Sequence, residues 1–133
     1  MNKKLNLMTA SLGFVAATIL PSIAQAESIN YQCSYTHAVY TAPFMKTPGT
    51  RNCPEGRCSY SVQINGNSAK VNDVSGFSVE QTDTSILLTR TAKDPVMGGM
   101  DTTKITILKS DMSFEAVKTT TPSVVLTTKG SCS

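Results

Sequence analysis

The sequence predicts an all-β fold: a single small antiparallel domain of about eight strands, with an up-and-down barrel favoured over a two-sheet sandwich and two disulfides holding it together. Three observations predict it. After residue 26 the chain has sixteen threonines, many valines and isoleucines, no tryptophan and few strong helix formers, a composition suited to pleated, half-buried surfaces. Apolar and polar residues alternate with period two in several short runs. Turn residues separate those runs at short intervals.

The first segment is of another kind. In "MNKKLNLMTASLGFVAATILPSIAQA", Lys3 and Lys4 precede an apolar stretch from Leu5 to Leu20, Pro21 ends it, and Ala24-Gln25-Ala26 offers the small residues a signal peptidase needs. Residues 1–26 are therefore expected to be a cleaved signal peptide, leaving one exported β domain over 27–133 with no transmembrane span. Cleavage removes two of twelve basic residues and none of nine acidic ones, so the formal charge falls from +3 to +1. The remaining Lys and Arg are scattered singly along the chain. Nucleic-acid binding, which requires clustered positive charge, is not expected.

The first strand is read in "SINYQCSYTHAVY". Ile29, Tyr31, Cys33, Tyr35, His37 and Val39 share one face, with Ser28, Asn30, Gln32, Ser34 and Thr36 opposite. "CSYSVQINGNSAKV" reads as a hairpin about Asn65-Gly66, which sets Val62 opposite Ala69 and Tyr60 opposite Val71. Further strands are expected near Phe77–Thr82, Ser85–Thr91, Thr103–Lys109, Ser113–Thr119 and Ser123–Cys132. The turns between are Val74-Ser75-Gly76, Asp83-Thr84, the longer "AKDPVMGGMD", Ser110-Asp111 and Thr121-Pro122.

An even number of cysteines in a short exported chain reads as a disulfide framework, in a periplasmic or secreted location. Cys33 shares its strand face with Ile29 and Tyr31, and Cys132 shares parity with Val124 and Leu126. A Cys33–Cys132 bridge would lock the first strand to the last, which favours the barrel. That leaves Cys53 with Cys58 in "RNCPEGRC". A thioredoxin-like redox pair has two residues between its cysteines and stands at a helix start. Here four residues intervene and a strand follows, so the pair is read as a staple across Pro54-Glu55-Gly56.

The staple closes the longest stretch without a strand signal, residues 41–57, "TAPFMKTPGTRNCPEGR". Phe44, Met45, Lys46, Arg51 and Arg57 in that loop are the candidate partner-binding residues, since aromatic, Met and Arg side chains are enriched at interfaces. The alternative is that Phe44 folds back as a plug on the core. A second candidate set, Tyr31, Tyr35, Tyr60, Phe77 and Phe114, would line a barrel interior or mouth that carries a small apolar ligand.

No catalytic residues are assigned. His37, the single histidine, falls on the apolar face of the first strand without a base–acid context or a G-x-S-x-G elbow. Met97 and Met100 are too few to argue for copper, a structural zinc site lacks ligands, and no metal or cofactor is expected. Asp73, Glu80, Asp83, Asp94, Asp101, Asp111 and Glu115 fall at turns or on polar strand faces and read as solvated surface.

"INYQC" at residues 29–33, the export signal, the strand count and a cysteine near the C-terminus resemble the small periplasmic c-type lysozyme inhibitors. The resemblance implies a compact antiparallel barrel that blocks its target with a protruding motif. Of the family's inhibitory signature only Ser75-Gly76-Phe77 has a counterpart, and the chain has no tryptophan. The expected function is non-enzymatic: an exported bacterial-type β-domain binding a protein or envelope partner through the pinned 41–57 loop, with the small-ligand carrier as the alternative.

Overall fold

A computed structural model describes residues 28–54, 58–96, 98–120 and 123–133. Residues 1–26, expected to be a signal peptide, lie outside the described residues, as do Arg57, Met97, Thr121-Pro122 and most of Pro54-Glu55-Gly56. Ten strands form: β1 Ser28–Tyr35, β2 His37–Thr41, β3 Gly49–Asn52, β4 Cys58–Asn65, β5 Ser68–Val71, β6 Val74–Gln81, β7 Ser85–Lys93, β8 Met100–Leu108, β9 Ser113–Thr119 and β10 Val125–Cys132. Eight of them close a barrel in the order β1-β4-β5-β6-β7-β8-β9-β10, with β10 returning to β1; β2 and β3 continue outward from β10 as an added hairpin. Every pairing is antiparallel. Closure leaves the barrel proper without edge strands.

The interior is filled. Cys33, Val62, Ile64, Val71, Phe77, Ile86, Leu88, Ile105, Ile107 and Phe114 are buried in one apolar cluster, with Tyr31, Tyr35, Tyr60, Val79 and Met112 packed against it. Cys33 and Cys132 are paired across the β1–β10 seam and joined by a disulfide. Cys53 and Cys58 form the second disulfide, so all four thiols are used. Two bridges in a domain of this size belong to an oxidising, non-cytoplasmic environment. Among the described residues no helix is long and apolar enough to cross a membrane.

Four expectations are corrected. The run 28–41 is not one uninterrupted strand. Against β10, Ser34 pairs with Ser131 and Ala38 with Thr128, so three residues of this strand face two of β10. This bulge at Thr36 shifts the side-chain parity by one. Tyr31, Cys33 and Tyr35 point inward from β1, but inward positions on β2 are Ala38 and Tyr40, and His37 is exposed on the outside.

The β4–β5 hairpin pairs Val62 with Val71 and Ile64 with Ala69, two positions from the expected register. The turn is Gly66-Asn67, with Gly66 at φ 62° in the first central position. In the expected register Ile64 would have faced Asn67; the observed one sets apolar against apolar along the inner face.

Val74-Ser75-Gly76 is not a turn but the start of β6. Asn72 and Asp73, with φ of 50° and 66°, form the two-residue connection instead. Gly76, at φ 98°, sits in a bulge opposite β5. Both Asn and Asp tolerate the left-handed region better than other side-chain residues. The Asn72 side-chain carbonyl also accepts a hydrogen bond from the Ser61 amide at 2.8 Å, tying this turn to β4.

Residues 41–57 are not a structureless loop, since β3 lies within them and pairs with β2, Tyr40 opposite Gly49 and His37 opposite Asn52. Tyr35 pairs with Cys58 and His37 with Asn52, so the ladder is interrupted at Thr36. The Cys53–Cys58 disulfide ties the end of β3 to the start of β4, and the Cys53 amide donates to the Thr36 carbonyl at 3.0 Å.

Candidate functional site

Antiparallel alternation puts the ends of β1, β5, β7 and β9 and the starts of β4, β6, β8 and β10 at one mouth of the barrel. The β2–β3 hairpin extends beyond this mouth, and the β7–β8 connection closes beside it through Asp94, whose Oδ1 accepts from the Val96 amide at 2.8 Å. The strand register sets one transverse row of residues across this end. Arg90 pairs with Thr103, Thr103 with Lys118, Lys118 with Leu126, Leu126 with Tyr40, and Tyr40 with Gly49. All continue the inward parity of the core. The row beneath is Leu88, Ile105, Ala116, Thr128 and Ala38, all buried, and it ends on Arg51 of β3.

A cavity of about 310 Å³ opens at this mouth, with Tyr60, Phe77, Ile105 and Leu126 as apolar walls and Arg90 and Lys118 as cations. A second, of about 360 Å³, adjoins it across Lys118 and Leu126 and is lined also by Tyr40, Arg51 and Val124. Neighbouring strands are about 4.8 Å apart, so the backbones of Arg90 and Lys118 stand about 10 Å from each other. Their long stems can lie on apolar wall while the charged heads reach water.

The charges are partly committed. Arg90 Nε donates to the Ser75 carbonyl at 2.9 Å, which orients the guanidinium. Lys118 Nζ lies 3.8 Å from Asp101 Oδ2. The Asp101 side chain is 17% exposed, which corrects its reading as solvated surface. Its Oδ1 is buried with no hydrogen-bond partner among the described residues. Below, the Tyr35 and Tyr60 rings stack at 5.2 Å, and Phe114 meets both edge-on at 6.4 and 5.8 Å. Burial, then the neighbouring Tyr60, holds the Tyr35 hydroxyl pKa above the usual tyrosine range, against a smaller opposite pull from Arg51.

The expected site residues are divided between three places. Phe44 and Lys46 are exposed at the hairpin tip, and Phe44 is 85% exposed rather than folded onto the core. Met45 is half-buried, its amide donating to the Ala42 carbonyl at 2.9 Å in the tip turn. Arg51 lies instead on β3, facing the mouth. Of the aromatic set, Tyr60 and Phe77 line the cavity of about 310 Å³, Tyr35 borders a neighbouring cavity, and Tyr31 and Phe114 belong to the packed interior. His37 lies outside the barrel, its Nδ1 3.2 Å from the Thr36 hydroxyl.

Sequence reasoning missed Arg90 and Lys118. Their signal was strand parity: Ile86, Leu88 and Arg90 alternate in "SILLTR", as do Phe114, Ala116 and Lys118 in "SFEAVK". In each case a cation follows the apolar residues on the inward face. Residues scattered singly in sequence thus converge when the sheet closes.

Fold and site together define a disulfide-locked, closed eight-stranded β-barrel with an added hairpin and a basic, apolar-walled mouth. No family model, curated protein or solved structure matches the chain.

Proposed function

We propose that this protein is a non-enzymatic exported β-domain, periplasmic or secreted, that binds a protein or envelope component through its β2–β3 hairpin. The observation that carries the reading is Phe44, 85% exposed at the tip of an element anchored on both sides. One anchor is the ladder from Val125–Thr41 to Thr128–Ala38, which makes the hairpin a continuation of the barrel wall. The other is the Cys53–Cys58 bridge at the base of β3. An aromatic residue held on a pre-organised support is suited to anchor an interface, because little conformational freedom is lost on binding. Exposed Lys46 beside it adds positive charge. Binding by a protruding segment is also the mode of the small periplasmic lysozyme inhibitors that the sequence resembles, which supports the mode and not lysozyme as the target.

The test is a photo-crosslinking amino acid placed at position 44, and separately at exposed Glu80 on β6, in the protein exported by its host. A discrete adduct is expected from position 44 alone, weakened when Lys46 is replaced by Glu with both disulfides kept. No adduct from position 44, or the same adducts from both positions, would reject the hairpin as the contact surface.

A further inference from the structure

We infer that the barrel mouth is a binding site for a single-chain anionic amphiphile, an acyl chain carrying a carboxylate or phosphate head. The inference goes beyond the hairpin reading and uses different residues.

Below the mouth row the inward faces of β7, β8 and β9 are apolar, and in that row Arg90 and Lys118 stand two strands apart with Thr103 between them and Leu126 beyond. Arg51 lines the adjoining cavity from β3, one row lower, and Lys118 lines both cavities. Each cavity therefore holds two cations, and the inward-facing carboxylate, Asp101, is paired with Lys118. The Nε hydrogen bond of Arg90 to Ser75 fixes that side chain while leaving its two terminal amino groups without a partner among the described residues. The Arg51 side chain makes no ion pair or hydrogen bond with a described residue. A fork of guanidinium donors held in place is the geometry that carboxylate and phosphate oxygens bind best.

Beneath the cations the walls are apolar: Tyr60, Phe77, Ile105 and Leu126. The cavity of about 310 Å³ is within the usual size of small-ligand sites. At about 30 Å³ for each water-sized group, it takes about ten such groups, the bulk of a medium-length acyl chain. The adjoining cavity, walled by Val124 and Tyr40, gives a longer chain room to continue. A purely apolar ligand would leave the cations unused, and a bare anion would leave the walls wet. Only an amphiphile satisfies both halves.

The experiment titrates the exported, disulfide-bonded protein with decanoate and with decyl phosphate, by calorimetry and by methyl-resolved NMR. Controls are 1-decanol, which has the tail without the charge, and acetate and inorganic phosphate, which have the charge without the tail. The carboxylate and phosphate arms report which head is preferred. At least one anionic amphiphile should bind about tenfold or more tighter than decanol, the scale of one charge-assisted contact. Shifts should centre on Leu126 and Ile105. Arg90→Gln and Arg51→Gln should each weaken the anionic ligand and leave decanol unchanged, with Arg90→Lys recovering part of the loss. Arg51 is exposed, so its variant keeps the test valid even where Arg90→Gln disturbs the fold. Replacing Phe44 by Ser should not alter this binding, which separates it from the hairpin reading. Decanol binding as tightly as decanoate and decyl phosphate, inorganic phosphate alone saturating the site, or no binding by either amphiphile would overturn the inference.

Discussion

Thr128 carries a hydroxyl into an apolar interior, at 1% exposure, and the Tyr60 hydroxyl meets it at 3.3 Å. That contact leaves the buried Thr128 hydroxyl satisfied, and the Tyr60 ring in turn stacks on Tyr35. Tyr35 has the consequence that can be measured. Its folded pKa is raised, so the folded protein holds this proton more tightly than the unfolded chain does. The resulting contribution to stability is complete below the unfolded value of about 10 and is lost as pH rises through the higher folded value. Chemical unfolding followed from pH 8.5 to about 11 should therefore show a falling midpoint, and the fall should be shallower in Tyr35→Phe. Parallel falls in both proteins would mean that Tyr35 is not the group responsible. Asp111 shows the opposite case at the surface, its carboxyl held below the usual range by the amide and hydroxyl of Ser113 in the β8–β9 turn.

Among the elements, the bent strand formed by β1 and β2 decides where everything else goes. Its bulge at Thr36 is accommodated by Gly130 on β10, where a Cβ would run into the Ser34 carbonyl and stand 2.9 Å from the Phe114 ring. Both neighbours are fixed, one by backbone and one by core packing. Gly130→Ala should therefore destabilise the protein by about 1–3 kcal/mol, the usual cost of forcing extra volume into a packed site. Thermal unfolding checks it, and an unchanged midpoint would show that the seam is looser than described. A second glycine has a comparable role in the hairpin: the Tyr40 ring covers Gly49, so a side chain there would displace it from the mouth. The same bulge explains why the alternation read in "SINYQCSYTHAVY" failed halfway. Period two is a local rule, and an extra residue in a ladder becomes visible only once the partner strand is known.

For the whole molecule, the covalent seam matters most. Cys33 and Cys132 are 99 residues apart in sequence, and bridging them removes chain entropy worth up to about 4.7 kcal/mol from the unfolded state. The Cys53–Cys58 ring, five residues in separation, constrains less. Replacing Cys33 and Cys132 together by Ala should lower stability about twice as much as replacing Cys53 and Cys58, with the smaller loss local to the hairpin. Denaturant titration of the two double variants measures it. Equal losses would mean that barrel closure does not depend on the seam bridge. The pairing of β2 and β3 onto β10 likewise brings Arg51 to one cavity with Lys118, although 67 positions separate them in the chain.

The amino-acid order alone determined the all-β antiparallel class and the even set of cysteines, and it favoured the two disulfide pairings and a barrel over a sandwich. Those properties follow from short-range periodicity, turn chemistry and parity, which a chain displays before it folds. Tertiary structure decided the bulge that turned His37 outward, the shifted β4–β5 register, the conversion of residues 41–57 into a hairpin, and the basic mouth. Each depends on which residue stands across from which, and in an antiparallel barrel that pairing is set by packing over the whole sheet.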